Sequence, residues 1–418
     1  MLGKIKNIGI LPQILIAFVT AIIFGVIFGP SISVVQPLGD LFLRLIEFII
    51  VPLILSTLVV GVASIGDMKT LSRIGGKTFV YYIITTAFAV SIGLAAAILF
   101  KPGEGVDTSI AVSGKTPEPN ETGGVINVLL NIIPTNPVAA LSNGDILQII
   151  FFALFLGVGI AMVGEKAEPV YRFFDGFAEI MYKITWVVMK LVPIGVFGLL
   201  APIIGSNGLS ILLPLLELIV VVAVSCIVHA GVTYSISVRI LGKMNPLKFF
   251  KGILPASLVA FSTQSSSGTL PVTIKSSEDN LGIKKKVSSF VLPLGATINM
   301  DGTSLYISVA TVFAAQAYGV DLSFSQILMV VLIATLGSIG TAGVPGAGLI
   351  MLTWTLSTVG LPLEAIALIA GVDRFMDMFR TSTNVTGDAA AALFVNTTED
   401  KADSKADRNL DSAQSFTG

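Results

Sequence analysis

Stretches of about twenty apolar residues, the length a helix needs to cross a bilayer, follow one another from residue 11 to residue 395. Lipid rather than a globular core is the solvent such a pattern requires. The composition agrees: the 418 residues are 54% hydrophobic and only 12% charged, against about 25% charged in soluble domains, and the mean hydropathy is +0.90. An all-α polytopic membrane protein follows. The net charge of −1 says nothing about nucleic acid, and no basic tract is long enough to bind it, so no nucleic-acid partner is expected. A single cysteine, Cys226, excludes a disulfide framework. A single histidine, His229, argues against a histidine-rich metal site or a Ser-His-Asp hydrolase. Both lie in an apolar stretch and read as packing residues. No cleavable signal is evident; residues 11–29 read as a first span after a short basic start, Lys4 and Lys6.

The first six spans are expected at 11–29, 36–65, 78–100, 125–164 (broken at Pro134 and Pro137), 176–204 and 208–238. The pattern then changes. Residues 250–278 and 326–358 are apolar but interrupted, by Ser265-Ser266-Ser267-Gly268-Thr269-Leu270-Pro271 and by Gly340-Thr341-Ala342-Gly343-Val344-Pro345-Gly346-Ala347-Gly348. Each arm is too short to span, so both read as re-entrant hairpins, tolerated at membrane depth only where protein or a wet cavity covers the tip. A polar span follows each hairpin: 287–317, broken at Asn299-Met300-Asp301-Gly302-Thr303, where Gly302 is expected to let the helix unwind, and 362–395, holding Asn384-Val385-Thr386-Gly387-Asp388. Paired interrupted segments in two halves point to a transporter binding site.

Lys and Arg concentrate in 67–77, 165–172, 239–251 and 275–286, while the loops near 205–209, 318–325 and 359–363 have none. The positive-inside rule places the first set and both termini in the cytoplasm of a cell-membrane protein. The loop 101–124 is then external, and the polar tail 397–418 is expected to be disordered.

The chemistry concentrates in the last span. Asp373, Asp377, Arg380, Asn384 and Asp388 fall within an arc of roughly 80° on a helix. A charge at membrane depth costs about 2.5–3.5 kcal/mol on insertion scales, so the stripe needs partners, water or a ligand. Asp377 and Arg380 either pair internally or serve one zwitterion, Arg380 taking a carboxylate with its planar fork and Asp377 an ammonium. Asn299 and Asp301 offer hard oxygen ligands suited to a small alkali cation; the competing reading is a kinked helix capped by the Asp. Thr85 and Thr86, after Tyr81 and Tyr82, either bond back to their own helix or join that site. The serines at 265–267 lack a neighbouring base, and fit a loop that offers hydroxyls and amide N–H groups to an anion.

Together these motifs, with Thr297–Thr303, Ser338–Gly348 and Arg380–Asp388, resemble the dicarboxylate/amino acid:cation symporter family, which includes the excitatory amino acid transporters and archaeal glutamate-transporter homologues. The similarity covers about residues 10–396. It implies eight transmembrane helices, two re-entrant hairpins, inverted repeats, a homotrimer and an elevator mechanism. Residues 1–77 and 125–207 would form the scaffold; 78–100 and 208–396 would form the transport domain. The resemblance assigns Arg380, Asp377, Asn384, Thr303, Thr381, Ser265, Ser266, Val344 and Gly348 to the substrate. It assigns up to three sodium ions: one to Gly295, Asn299, Asn384 and Asp388, a second to Tyr82, Thr85, Thr86, Asn299 and Asp301, and a third to Thr297, Ser338, Ile339 and Thr341.

The chain departs from the family in one respect. Archaeal members carry an arginine before the serine run, where Gln264 stands, and vertebrate members carry one where Met378 stands. Arg374 is expected to supply the second positive charge instead, pairing with Asp377 or Asp373. The stretch Asp373-Arg374-Phe375-Met376 resembles bacterial C4-dicarboxylate transporters, but those typically have serine in place of Asp377. The expected function is therefore sodium-coupled uptake of L-aspartate or L-glutamate, with no enzymatic activity. The alternatives are a C4-dicarboxylate symporter, a proton-coupled symporter and, from another class, an anion channel.

Overall fold

The computed structural model describes residues 10–63, 71–106, 130, 133–338 and 346–415. Every regular element among them is helical. In chain order these are α1 (Ile10–Phe28), α2 (Gln36–Ala63), α3 (Leu71–Phe100), α4 (Pro137–Asn143), α5 (Ile146–Val163), α6 (Glu168–Met189), α7 (Val192–Asn207) and α8 (Leu212–His229). A π turn, Ala230–Tyr234, joins α8 to α9 (Ser235–Ile240). Then come α10 (Pro246–Thr263), α11 (Ser266–Asp279), α12 (Lys285–Ile298), α13 (Asp301–Ala317), α14 (Phe324–Ser338), α15 (Ala347–Val359), α16 (Ala365–Ala370) and α17 (Asp373–Ser415).

Four helical stretches among the described residues are long and apolar enough to cross a membrane: Pro12–Phe42, Ile74–Phe100, Gln148–Val188 and Gly208–Ile240. Their outer faces stay apolar; Phe88, Leu99, Phe155 and Ile227 are all more than half exposed. In water such faces would aggregate, whereas lipid solvates them. Helix α1 packs on α7, and α2 on α5, α6 and α7. Helix α13, nearly every residue of which is buried, packs against α3, α8, α14, α15 and α17. The site is built around α13 and α17.

Helix ends follow local chemistry. Asn245 caps α10, its side chain accepting from Leu247 N, with Pro246 first in the helix, where its missing N–H costs nothing. Gln264 ends α10 in the left-handed region (φ 56°), and Ser265 caps α11 by accepting from Gly268 N at 3.0 Å. The break between α10 and α11 is therefore Gln264–Ser265 alone. The expected tip, running on to Pro271, is helical from Ser266 onward, because the Ser265 cap satisfies the first turn.

Three further expectations change, and a fourth lies largely outside the described residues. The single span at 176–204 is two helices, α6 and α7, parted at Lys190–Leu191 just before Pro193, which lacks an N–H to continue the helix. Gly302 does not unwind its helix; it lies in the first turn of α13, and the non-helical residues are Asn299 and Met300. Its role is space, since a Cβ there would strike the backbone carbonyl of Arg380. The tail expected to be disordered from residue 397 continues α17 to Ser415, a stretch in which no Gly or Pro interrupts the helix. The tips expected at 340–348 lie outside the described residues up to 345; α15 resumes at Ala347 after Gly346, whose φ is 89°.

Candidate functional site

Helix α17 carries its polar stripe into the interior. Asp373, Arg374, Asp377, Arg380, Asn384 and Asp388 are all at most 6% exposed. Arg380 is held between two carboxylates: its Nη1 donates to Asp373 Oδ1 at 2.9 Å, and its Nη2 lies 2.9 Å from Asp377 Oδ1. These partners stand seven and three residues earlier, one face of one helix. The ring of Tyr306, on α13, lies 4.0 Å from the guanidinium carbon, a desolvated cation–π contact. A Cβ on Gly348 would come within 2.5 Å of Arg380 Nη1, so only glycine lets α15 approach the guanidinium so closely. Thr381 Oγ1 donates to Asp377 Oδ1 at 3.2 Å.

Arg374 takes an unexpected partner first. Its Nη1 donates to Gln264 Oε1 at 3.1 Å, and Gln264 Nε2 donates back to the Arg374 carbonyl at 3.2 Å. The expected pairing with Asp377 exists as a longer contact, 3.8 Å to Oδ2. Gln264 thus ties the break between α10 and α11 to the first turn of α17. Two aspartates and two arginines form one buried cluster with no net charge.

Further along α17, Asn384 Oδ1 accepts from Gly302 N at 2.8 Å, while its Nδ2 donates to Met300 Sδ at 3.2 Å and to Thr303 Oγ1 at 3.4 Å. Asp388 Oδ1 accepts from Asn299 Nδ2 at 2.9 Å. The buried Asn299 Oδ1 has no hydrogen-bond partner among the described residues. A Cβ on Gly295 would run into Asp388 Oδ1 and lie 2.5 Å from the Tyr82 hydroxyl. That hydroxyl donates to Val291 O at 3.0 Å. Gly295, Asn299, Asp388 and Tyr82 are therefore brought together, with Asn384 one turn away.

Asp301 lies beside this set, fully buried. Its Oδ1 accepts from Thr86 Oγ1 at 2.6 Å; its Oδ2 accepts from Tyr234 at 2.8 Å and faces His229 Nε2 at 3.2 Å. The reading of His229 as mere packing is overturned by that contact. Nothing in the apolar sequence around His229 signals it, because the partner is 72 residues away. Tyr234 and Tyr306 were likewise not singled out by the sequence.

The side chains of the other expected residues are placed as follows. Thr85 Oγ1 bonds back to Tyr82 O at 3.2 Å and Thr297 Oγ1 to Leu294 O at 2.9 Å. Ser265 Oγ serves as a helix cap, and Ser266 is buried as the first residue of α11. Ser338 ends α14. Ile339, Thr341 and Val344 lie outside the described residues.

The family model for the sodium:dicarboxylate symporter family matches residues 10–398. The chain belongs to this family. Among similar members, a proton/sodium-glutamate symport protein of Geobacillus stearothermophilus is 40% identical over 400 residues, covering 94% of each chain. A proton/glutamate-aspartate symporter of Escherichia coli (strain K12) is 39% identical, covering 90% of this chain and 87% of its own. A C4-dicarboxylate transport protein of Bacillus subtilis (strain 168) is 39% identical, covering 92% of this chain and 93% of its own. In this symporter-family chain, the charged cluster around Arg380 and the Asp388 carboxylate that meets Asn299 follow one another along α17, with Asn384 between them.

Proposed function

We propose that the protein is a secondary active symporter that takes up L-aspartate or L-glutamate together with sodium. The observation that carries this reading is the neutral cluster of Asp373, Arg374, Asp377 and Arg380 at the centre of the fold. Buried ion pairs give little net stability after desolvation, so a cluster of this kind is better explained by a ligand that exchanges with it. An acidic amino acid matches the exchange group by group. Its side-chain carboxylate takes the Arg380 fork from Asp377, and Asp377, released, accepts the ammonium. Arg374, steered by Gln264, faces the same carboxylate and adds the second positive charge. Arg380 and Asp377 thus each keep an opposite charge in both arrangements.

Sodium enters as a co-transported substrate. Asn299 Oδ1, the Asp388 and Asp301 carboxylates and the Thr86 hydroxyl are hard oxygens of the kind a small alkali cation takes, and two carboxylates supply the charge. Cation binding there is coupled to substrate binding through Asn384, which touches both Gly302 and Thr303. The names of the similar glutamate and glutamate-aspartate symporters support the substrate class. By analogy with the family, eight spans and two re-entrant hairpins make up each chain of a homotrimer. The part spanning 78–100 and 208–396 moves as an elevator against a scaffold of 1–77 and 125–207.

A second reading, C4-dicarboxylate uptake, is favoured by the similar Bacillus subtilis transporter and by Asp373-Arg374-Phe375-Met376. Asp377 separates the two, because a dicarboxylate offers it nothing to accept. Calorimetric binding of aspartate, glutamate, succinate and serine to the purified protein, with and without sodium, tests the assignment. Sodium-dependent binding of aspartate or glutamate and weak binding of succinate are expected. Tight succinate binding with no aspartate competition would replace the first reading by the second.

A further inference from the structure

We infer that His229 and Tyr234 are positioning residues for the Asp301 carboxylate, fixing its Oδ2 so that Oδ1 stays turned toward Thr86 and toward an incoming sodium ion. The inference rests on the reading of Asp301 as a cation-coupling carboxylate. Its physical basis is the backbone. Residues five apart on a regular α-helix point about 140° from each other, so His229 and Tyr234 would not reach the same oxygen. The turn between them, Ala230–Tyr234, is a π turn, closed by i→i+5 hydrogen bonds, and it brings both onto one side. Their rings meet edge to face, 4.8 Å between centroids, and both side chains are fully buried.

Both contacts converge on one oxygen, Tyr234 at 2.8 Å and His229 Nε2 at 3.2 Å, while among the described residues Oδ1 receives only Thr86. His229 Nδ1 has no partner among the described residues; Nε2 faces a carboxylate, which as an anion only accepts, so the imidazole meets Asp301 through its Nε2–H. The Tyr234 hydroxyl is itself wedged: it lies 3.4 Å from Thr383 O, and a Cβ on Gly387 would strike it. Thus α8, α13 and α17 all bear on the orientation of one carboxylate. A carboxylate held this way cannot swing away from a cation to find other donors. Partners that orient a ligand without touching the ion typically contribute 10- to 100-fold in ion affinity.

The test is aspartate binding to the full-length purified protein, measured by calorimetry across a sodium series. Tyr234→Phe and His229→Ala are expected to raise the sodium concentration for half-saturation about tenfold or more, with aspartate affinity at saturating sodium unchanged. His229→Gln, which keeps an N–H donor, is expected to recover most of the loss. If Tyr234→Phe does not fold, the two His229 variants decide the matter alone. An unshifted sodium requirement, equal shifts for Ala and Gln, or a loss that persists at saturating sodium would overturn the positioning role alone. Wild-type binding that ignores sodium would overturn the cation reading and the inference with it.

Discussion

Arg380 is pinned by Asp373, Asp377 and the ring of Tyr306, and this fixes what replacements can do. Lysine would keep the charge but lose the planar fork. Arg380→Lys is expected to weaken aspartate binding about 100-fold, the scale of breaking a buried, paired charge contact, read by calorimetry. Asp377→Ser removes the acceptor for an ammonium and leaves two arginines against one aspartate. Aspartate affinity is expected to fall by about 10- to 150-fold, the worth of a charged hydrogen bond, while succinate binding is retained or strengthened. An equal fall for both ligands would mean that Asp377 does not read the amino group. At Gly302 the obstacle is backbone, the carbonyl and Cα of Arg380, which cannot rotate away. Gly302→Ala is expected to cost about 1–3 kcal/mol of stability, measured as a lowered unfolding temperature in detergent.

The spacing that drew attention to α17 is not unique to it. Glu168, Arg172, Asp175, Glu179 and Lys183 on α6 repeat the same intervals as Asp373, Asp377, Arg380, Asn384 and Asp388. On α6 the stripe is exposed; Glu168 and Arg172 pair at 2.8 Å with side chains 50% and 76% accessible, an i,i+4 contact of small worth. On α17 it is buried. Spacing shows that residues share a face, and only packing shows which way the face points.

At the scale of elements, what the sequence showed best were the long apolar helices, because lipid imposes length and composition on each of them directly. Breaks were harder. The one at Asn299–Met300 was legible as a polar insertion, but its cause was assigned to the wrong residue, since close packing at Gly302 leaves no mark in a single sequence. The π turn at 230–234 was invisible: Ala-Gly-Val-Thr-Tyr carries no signal that one extra residue per turn is accommodated there. The link between Gln264 and Arg374 was half legible, as a missing arginine in one place and an added one in another. That link makes the end of α10 and the start of α17 one unit. Gln264→Ala and Arg374→Ala are expected to weaken aspartate binding by similar factors, with the double variant no worse than the more affected single one, as a thermodynamic cycle would read for a coupled pair. Additive losses would show that the two act separately.

At the scale of the whole molecule, the apolar outer faces of α3, α5 and α8 belong in lipid, and the polar groups are gathered in the interior around α13 and α17. A charged ligand at that depth is shielded from the bilayer by protein, so moving it across requires moving the protein around it. The proposed trimer is expected to appear in detergent as a particle three times the 43.8 kDa chain mass, measured by light scattering; a monomer would remove the fixed scaffold that an elevator needs. Coupling is also a whole-molecule property. If sodium and aspartate stabilise the same arrangement, each must raise the affinity of the other by the same factor.

The most direct test of the account is uptake of labelled aspartate into proteoliposomes containing the full-length protein. An inward sodium gradient is expected to drive aspartate to a concentration inside above that outside, and dissipating the sodium gradient is expected to abolish the accumulation. Uptake that never exceeds equilibration, or that follows a proton gradient and ignores sodium, would contradict it.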